Sequence, residues 1–385
     1  MTDQKPVPYW RLSGFYFIYF AALGSIIPYW AIYLQSAGYN AVDIGFLVAI
    51  LLGTKVVAPN IWSWISECTD RPMVMIRLAS LLAAITFAGI FLDEGFWWVA
   101  TVTLLFSFFW NASLPQFEAV TLFHLREGSH RYSLIRTWGS VGFIVVVIAI
   151  GKWLEQTSIA QLPILIVSLL AAIWLMSLLV PSPSLKAVEE DEVPWLSIAK
   201  SPHVLAFFIV CFLVQASHGP YYVFYTISLD QQGYSAGATG ELWALGVVAE
   251  VVLFMMMHHL LKRYSLRTIL LAGLFLTILR WLLIAYQRDS FMALFFAQLL
   301  HAASFGSNHA VAIHLLHRYF KGRNQLKGQA LYSAVSFGLG GVIGSLYSGY
   351  LWDEGGAEVI YLVAALITLL ALFIGWKWVE REPIK

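Results

Sequence analysis

Six ionisable side chains stand deep inside apolar sequence: Lys55, Glu118, Glu250, Arg280, His301 and His309. Arg136 and His218 join them nearer the ends of apolar runs. A charged group at the centre of a bilayer costs about 2.5–3.5 kcal/mol on insertion scales unless it faces a wet cavity or a partner. Any one of these residues could lock two helices together as a structural pair. The whole set points instead to a pathway, because acids, bases and imidazoles together can hold an ionised solute and pass a proton. No nucleophile elbow, P-loop or HExxH pattern accompanies them, so no catalytic residue and no ATP hydrolysis on this chain are expected. His301, His309, His314 and His317 share one apolar run, but His301 and His309 are eight residues apart, too far for one ion on one helical turn. His314 and His317 fall at the headgroups. No metal and no cofactor are expected.

The elements that must position these residues are apolar runs of roughly 20 residues, the length that crosses a bilayer. They fall near 12–34, 42–65, 73–92, 96–123, 134–154, 160–180, 204–229, 238–261, 266–286, 290–317, 328–351 and 357–379. The chain of 385 residues is 59% hydrophobic and 12% charged, with a mean hydropathy of +0.73. A soluble domain carries about 25% charged residues, so these charges are too few to wet a globular surface. A net charge of +1 gives no reason to expect nucleic-acid binding. Cys68, in an expected loop, and Cys211, inside a span, offer no disulfide framework.

Segment 181–202, with Pro181, Pro183, Pro194 and Pro202 and the acidic run Glu189, Glu190, Asp191 and Glu192, reads as a solvated tether. It divides the chain into residues 1–180 and 203–385, two bundles of six spans each. Of the 23 Lys and Arg, Lys152 and Arg288 alone fall on one side of the membrane; apart from Lys55 and Arg280 within spans, the rest fall on the other. Positive charge stays in the cytoplasm, which puts both termini and the tether there. A bacterial inner membrane is the expected location.

The halves repeat. GYNAVDIGFLVAILLGTK at 38–55 matches GYSAGATGELWALGVVAE at 233–250 without a gap, through Gly38 and Gly233, Tyr39 and Tyr234, Ala41 and Ala236, and Gly45 and Gly240. A weaker echo links ASLPQFEAV at 112–120 with ASFGSNHAV at 303–311. A parallel repeat implies a pseudo-twofold axis along the membrane normal, with the solute site between the halves. It also makes Lys55 the counterpart of Glu250, and Glu118 that of His309. Lys55 and Glu250 are therefore expected to face one cavity and to interact. Gly338, Gly340, Gly341 and Gly344 form a small-residue face suited to close helix packing.

With these residues in view, the chain resembles the major facilitator superfamily over nearly its whole length, within the group that includes lactose permease and the 3-phenylpropionate transporters. Glu118 and Arg136 match, in spacing, the Glu and Arg that bind sugar on the fourth and fifth spans of lactose permease. Arg136 opens R-T-W-G-S-V-G-F where that protein has R-x-F-G-C-V-G-W, so Phe143 replaces its stacking Trp. Glu250, Arg280 and His301 fall where it has the Glu, Arg and His of its proton and sugar network. Its second acid, one turn after the His, is replaced by Ser304. The stretch from His218 to Glu250, and Lys55 as a basic residue, resemble the phenylpropionate transporters more closely. S-E-C-T-D-R-P, with Glu67, Asp70 and Arg71, is a degraded form of the superfamily's loop signature.

The resemblance implies an all-α integral membrane protein of twelve transmembrane helices that moves solute by alternating access and works as a monomer. Together with the residues it gives the expected function: proton-coupled uptake of a small organic acid, for which an aromatic acid is one candidate. Lys55 and Arg280 would supply positive charge, and Tyr222 and Phe143 ring contacts. Glu118, Arg136, His218 and His309 complete the expected substrate-binding set. Glu250 lies among Val, Ala and Leu and is the expected proton carrier, with His301 assisting. A sugar or nucleoside symporter is the alternative that the Glu118 and Arg136 pair supports. A non-transporting receptor or scaffold is the alternative of another class.

Overall fold

The computed structural model describes residues 7–125, 131–182, 195–322 and 324–380. The acidic run at 189–192, most of the 181–202 tether, both chain ends, and Lys5, Arg126, Lys186, Arg323, Arg381 and Lys385 lie outside the described residues.

Among the described residues the chain is helical throughout, with short connections and no strand. The first half contains α1 (Tyr9–Ser36), α2 (Ala41–Thr69), α3 (Pro72–Ala88), α4 (Phe96–Leu125), α5 (Tyr132–Leu154) and α6 (Leu162–Leu179). The second contains α7 (Pro202–Gln231), α8 (Ala236–Arg263), α9 (Leu266–Tyr286), α10 (291–319), α11 (324–354) and α12 (357–378). Ten continuous helices are long and apolar enough to cross a membrane. One of the ten, Lys327–Trp378, is two traversals, because Gly355 and Gly356 break its helical backbone. The remaining traversal is α10, whose α-helical ends Phe291–His301 and Asn308–Tyr319 flank a π-helical stretch at Ala302–Ser307. Twelve membrane helices result. The outward faces carry Leu, Ile, Val and Phe, with exposed Trp10, Trp64, Trp97, Trp376 and Trp378 near helix ends, as an interfacial belt requires. Cys68, expected in a loop, falls on the last turn of α2; its helix continues to Thr69.

The breaks in the helices have local causes. α7 is interrupted at His218, where Pro220 has no N–H to continue the ladder. The carbonyl this leaves free at Ala216 accepts from the Tyr347 hydroxyl at 3.2 Å. A second π-helical stretch, Ser333–Gly340, lies within α11, after its α-helical start at Asn324–Tyr332.

The sequence repeat is a structural repeat. Gly38 and Gly233 both adopt positive φ, +91° and +80°, in the turn after the first helix of each half, a conformation that favours glycine. Next to them, Tyr39 donates to the carbonyl of Glu94 at 2.5 Å and Tyr234 to that of Asp289 at 3.0 Å, each 55 residues ahead. Asn40 and Ser235 then cap α2 and α8 by accepting from the amides of Asp43 and Ala238. At the opposite face, Arg77 of α3 donates to the carbonyl of Val180 beyond α6 at 2.9 Å. Arg267 of α9 donates to that of Val379 beyond α12 at 3.1 Å.

The halves press together most closely on the side away from the tether. A Cβ at Gly45 would lie 2.7 Å from the carbonyl oxygen of Ser345, so α2 and α11 meet backbone to backbone. A Cβ at Gly240 would lie 2.6 Å from the Val147 carbonyl, and one at Gly151 2.5 Å from that of Ala236, which does the same for α5 and α8. The Tyr29 hydroxyl donates to Val147 O at 2.7 Å, Glu155 accepts from the Gly237 amide at 3.1 Å, and Lys152 pairs with Glu241 at 3.6 Å. The small-residue face of α11 packs too: Gly344 sits on Ala216 and Gly219 of α7, and Gly341 on Leu52 of α2.

Candidate functional site

In the first half, α4 and α5 bring Glu118 and Arg136 together, Oε1 to Nε 3.7 Å, with about a third of each side chain exposed. The guanidinium lies over the Phe20 ring at 4.0 Å and near that of Tyr16 at 5.6 Å, both on α1. The glycines of R-T-W-G-S-V-G-F explain how. A Cβ at Gly142 would stand 2.1 Å from the Phe17 carbonyl, so α5 rests directly on α1. One at Gly139 would strike Phe20 at 2.7 Å and Arg136 at 2.9 Å, so Gly139 leaves the space in which ring and guanidinium stack. Phe143 is buried against Gly24 of α1, a wall residue whose ring is already engaged.

Lys55 on α2 is half-buried and makes no hydrogen bond or ion pair among the described residues. Beside it, Asn111 of α4 donates to Leu51 O at 3.0 Å and to the Thr54 hydroxyl at 2.8 Å, and Thr54 donates on to Ser107 at 3.1 Å. This neutral network ties α2 to α4 at the depth of the free ammonium.

In the second half, Glu250 of α8 and His301 of α10 stand 3.7 Å apart, Oε2 to Nε2. Glycines on both helices set that spacing. A Cβ at Gly246, one turn before Glu250, would lie 3.0 Å from Gln298 and 3.3 Å from the His301 ring; one at Gly306 would lie 3.3 Å from Cγ of Glu250. Behind His301, Arg280 of α9 has no exposed surface. It donates to Ala297 O at 3.0 Å and to the Ser304 hydroxyl at 2.9 Å, and lies over Tyr221 at 4.2 Å and Trp281 at 4.6 Å. No acid pairs with it among the described residues. Ser304, which stands at the position of lactose permease's second acid, meets this cation with a neutral hydroxyl.

His218 is fully buried at the α7 break, its Nδ1 2.7 Å from Val214 O, its ring edge-on to Trp281 and stacked with Tyr222 at 6.0 Å. His309, two residues past the π-helical stretch, is half-buried with Nδ1 3.0 Å from the Tyr332 hydroxyl. Tyr221 donates to Gln298 at 3.0 Å in the same wall. Several buried polar atoms of this wall lack a partner: Arg280 Nη2, His218 Nε2, His301 Nδ1 and Gln298 Nε2. So dense a set of unmet donors and acceptors is unusual for an apolar core and marks a polar interior.

The halves meet electrostatically through Arg136, whose charge acts on both Glu250 and His309. The Glu118 and Arg136 pair belongs to the first half, and Glu250, His301 and His309 to the second. Arg280 and His218 are buried within the second half, and Phe143 within the first. The expected contact between Lys55 and Glu250 is not formed: Glu250 has His301 as its neighbour instead. Asn111, Gln298 and Tyr221 escaped notice in the sequence because they are uncharged, although an amide in an apolar span is itself a signal. A separate cavity of about 400 Å³ lies at the sealed side between the halves, bordered by Tyr29, Gln35, Thr226, Asp230 and Tyr234, and holds none of the charged set.

Comparison with known proteins agrees with this architecture. The model of the MFS_1 like family matches residues 9–363. The chain is 30% identical over 379 residues to the "Probable 3-phenylpropionic acid transporter" of Escherichia coli (strain K12), covering 95% of this chain and 96% of that one. It is 26% identical to the maltose permease of Geobacillus stearothermophilus, over 96% of this chain and 94% of that one. The crystal structure of the nucleoside transporter NupG superposes with a TM-score of 0.85 at 16% identity, over 97% of this chain and 99% of the other, a likeness of fold. The chain is a multi-pass membrane transporter, not an enzyme, and it belongs to the MFS_1 like family of the major facilitator superfamily.

Proposed function

We propose that the protein takes up a small aromatic carboxylate together with a proton, by alternating access in a bacterial inner membrane. The observation that carries this reading is the Glu250 and His301 pair, a carboxylate and an imidazole 3.7 Å apart on two helices of apolar sequence. An acid so placed can exist charged or protonated as its surroundings change, and a histidine beside it supplies a partner for either form. Lys55, which is unpaired, and Arg136, which Glu118 accompanies, offer a carboxylate its counter-charge, and Tyr222 and His309 offer rings. Arg280 is sealed in the second wall; its charge reaches the solute space through the field at His301, and direct contact requires α7 to move. The family relative at 30% identity, named for 3-phenylpropionic acid, supports the substrate class.

On this reading the tether side is cytoplasmic and the tight helix contacts close the far side, so the solute space faces the cytoplasm. Glu250 takes its proton when the space faces outward and loses it to cytoplasmic water when the space faces inward. Proteoliposomes holding purified protein, given a pH gradient and labelled 3-phenylpropionate, test the proposal. Accumulation above equilibrium that collapses with a protonophore supports it. Uptake of the acid that never exceeds equilibrium overturns the coupling. The Glu118 and Arg136 pair, and similarity to a maltose permease, favour a sugar or nucleoside symporter as the second reading. The same vesicles loaded with maltose or uridine separate the two.

A further inference from the structure

His301, Phe305 and His309 form a column of three parallel rings along α10. The His301 and Phe305 rings lie 5.7 Å apart at 11°, and those of Phe305 and His309 5.9 Å apart at 9°. A regular α-helix brings each i, i+4 pair of rings together but winds the column around its axis. At 3.6 residues per turn each residue advances about 100°, so positions eight apart end about 80° out of line. The π-helical stretch Ala302–Ser307 admits an extra residue, which takes back about 100° and returns His309 to the face of His301. Such insertions concentrate at functional sites.

The column joins two different places. Its inner end, His301, is buried beside Glu250; its outer end, His309, is half-buried within reach of the Arg136 charge. Phe305 connects them and itself carries nothing that titrates. A cavity of about 30 Å³, bordered by Phe305, His309, Asn308 and Tyr332, leaves the rings room to shift. The inner end is sensitive to small shifts. At 3.7 Å the Glu250 and His301 atoms are just beyond a good hydrogen bond, and a movement of under about 1 Å would make one. The other groups around His301 are Arg280 on α9 and His218 and Tyr221 on α7, with Arg136 acting on Glu250 from the first half.

We propose that Phe305 is a positioning residue that couples the solute site to the proton site. A solute ring that packs on His309 displaces the column, and Phe305 transmits the displacement to His301, closing or opening its contact with Glu250. This rests on the proton-coupled reading above. A flat ring is needed in the middle, because an aliphatic side chain would not hold two imidazoles parallel.

The test compares the wild type with Phe305→Leu and Phe305→Tyr in proteoliposomes, using 3-phenylpropionate as probe. Two quantities are read: exchange of labelled for unlabelled probe without a gradient, and accumulation under a pH gradient. Phe305→Leu is expected to keep exchange within about threefold while losing accumulation by about tenfold, and Phe305→Tyr to restore it. Accumulation by Phe305→Leu equal to that of the wild type overturns the proposal. So does a parallel loss of exchange and accumulation, which would make Phe305 an ordinary packing or binding residue. If Phe305→Leu does not fold, Phe305→Met is read by the same criteria. A wild type that exchanges the probe but never accumulates it would sink the proton-coupled reading itself, an outcome distinct from any difference between variants.

Discussion

Glu250 and His301 face each other at 3.7 Å between α8 and α10, with Gly246 and Gly306 holding the two helices close on either side of them. An acid in this position is expected to carry the transported proton. Glu250→Gln keeps the shape of the side chain and removes the titration. The variant should still bind and exchange solute across vesicles, yet fail to concentrate it against a gradient. If Glu250→Gln accumulates solute as the wild type does while His301→Gln does not, the histidine is the carrier.

The same geometry makes a statement about coupling. Glu250 and His301 are neighbours, so the double-mutant cycle of Glu250→Gln with His301→Gln should show an interaction of about 0.5–3 kcal/mol in thermal or chemical stability. Lys55 and Glu250, counterparts in the repeat, make no contact, and Lys55→Ala with Glu250→Gln should be additive to within about 0.5 kcal/mol. A large interaction term for Lys55 and Glu250 would mean that a second conformation brings them together.

Gly142 offers a test of the packing beneath Arg136. A Cβ there meets the main-chain carbonyl of Phe17 at 2.1 Å, and backbone cannot swing aside as a side chain can. Gly142→Ala should force α1 and α5 apart at a cost of about 1–3 kcal/mol, read as a lower melting temperature in detergent. Gly233→Ala, where open space surrounds the Cβ but φ is +80°, should cost about 1–2 kcal/mol through backbone strain alone. Equal stability of Gly142→Ala and wild type would show that the two helices are less tightly joined than described.

Orientation can be read directly. With basic residues gathered on the tether side, a fluorescent reporter fused after Lys385 should mature in the cytoplasm, and alkaline phosphatase fused there should stay inactive. Active phosphatase would invert the membrane orientation and, with it, the direction in which the solute space opens.

The twelve traversals were legible because a bilayer imposes a length on every helix and a side on every lysine and arginine, and both leave a mark on the chain. The repeat was legible where it uses residues with few substitutes: the glycine that takes positive φ at Gly38 and Gly233, and the tyrosine after it. The matched roles of Arg77 and Arg267 were not, because those arginines serve carbonyls a hundred residues away and lie in unlike local sequence. Charged candidates within spans announced themselves by their cost in lipid. What each one touches did not follow. The repeat suggested Lys55 as the partner of Glu250, but equivalence by symmetry fixes depth, not proximity, and the helices that pack against α8 placed His301 there instead. Phe143 has the residue type of a ring contact, but α1 packs against it at Gly24. The ring column on α10 was hidden for a different reason: His301, Phe305 and His309 line up only because one turn of the helix is wound wider, and no single residue type marks where that happens. The sequence by itself determined the solvent, the number of crossings and the inventory of groups able to carry charge. Tertiary structure alone decided which of those groups meet, because that depends on how closely glycine faces let the helices approach.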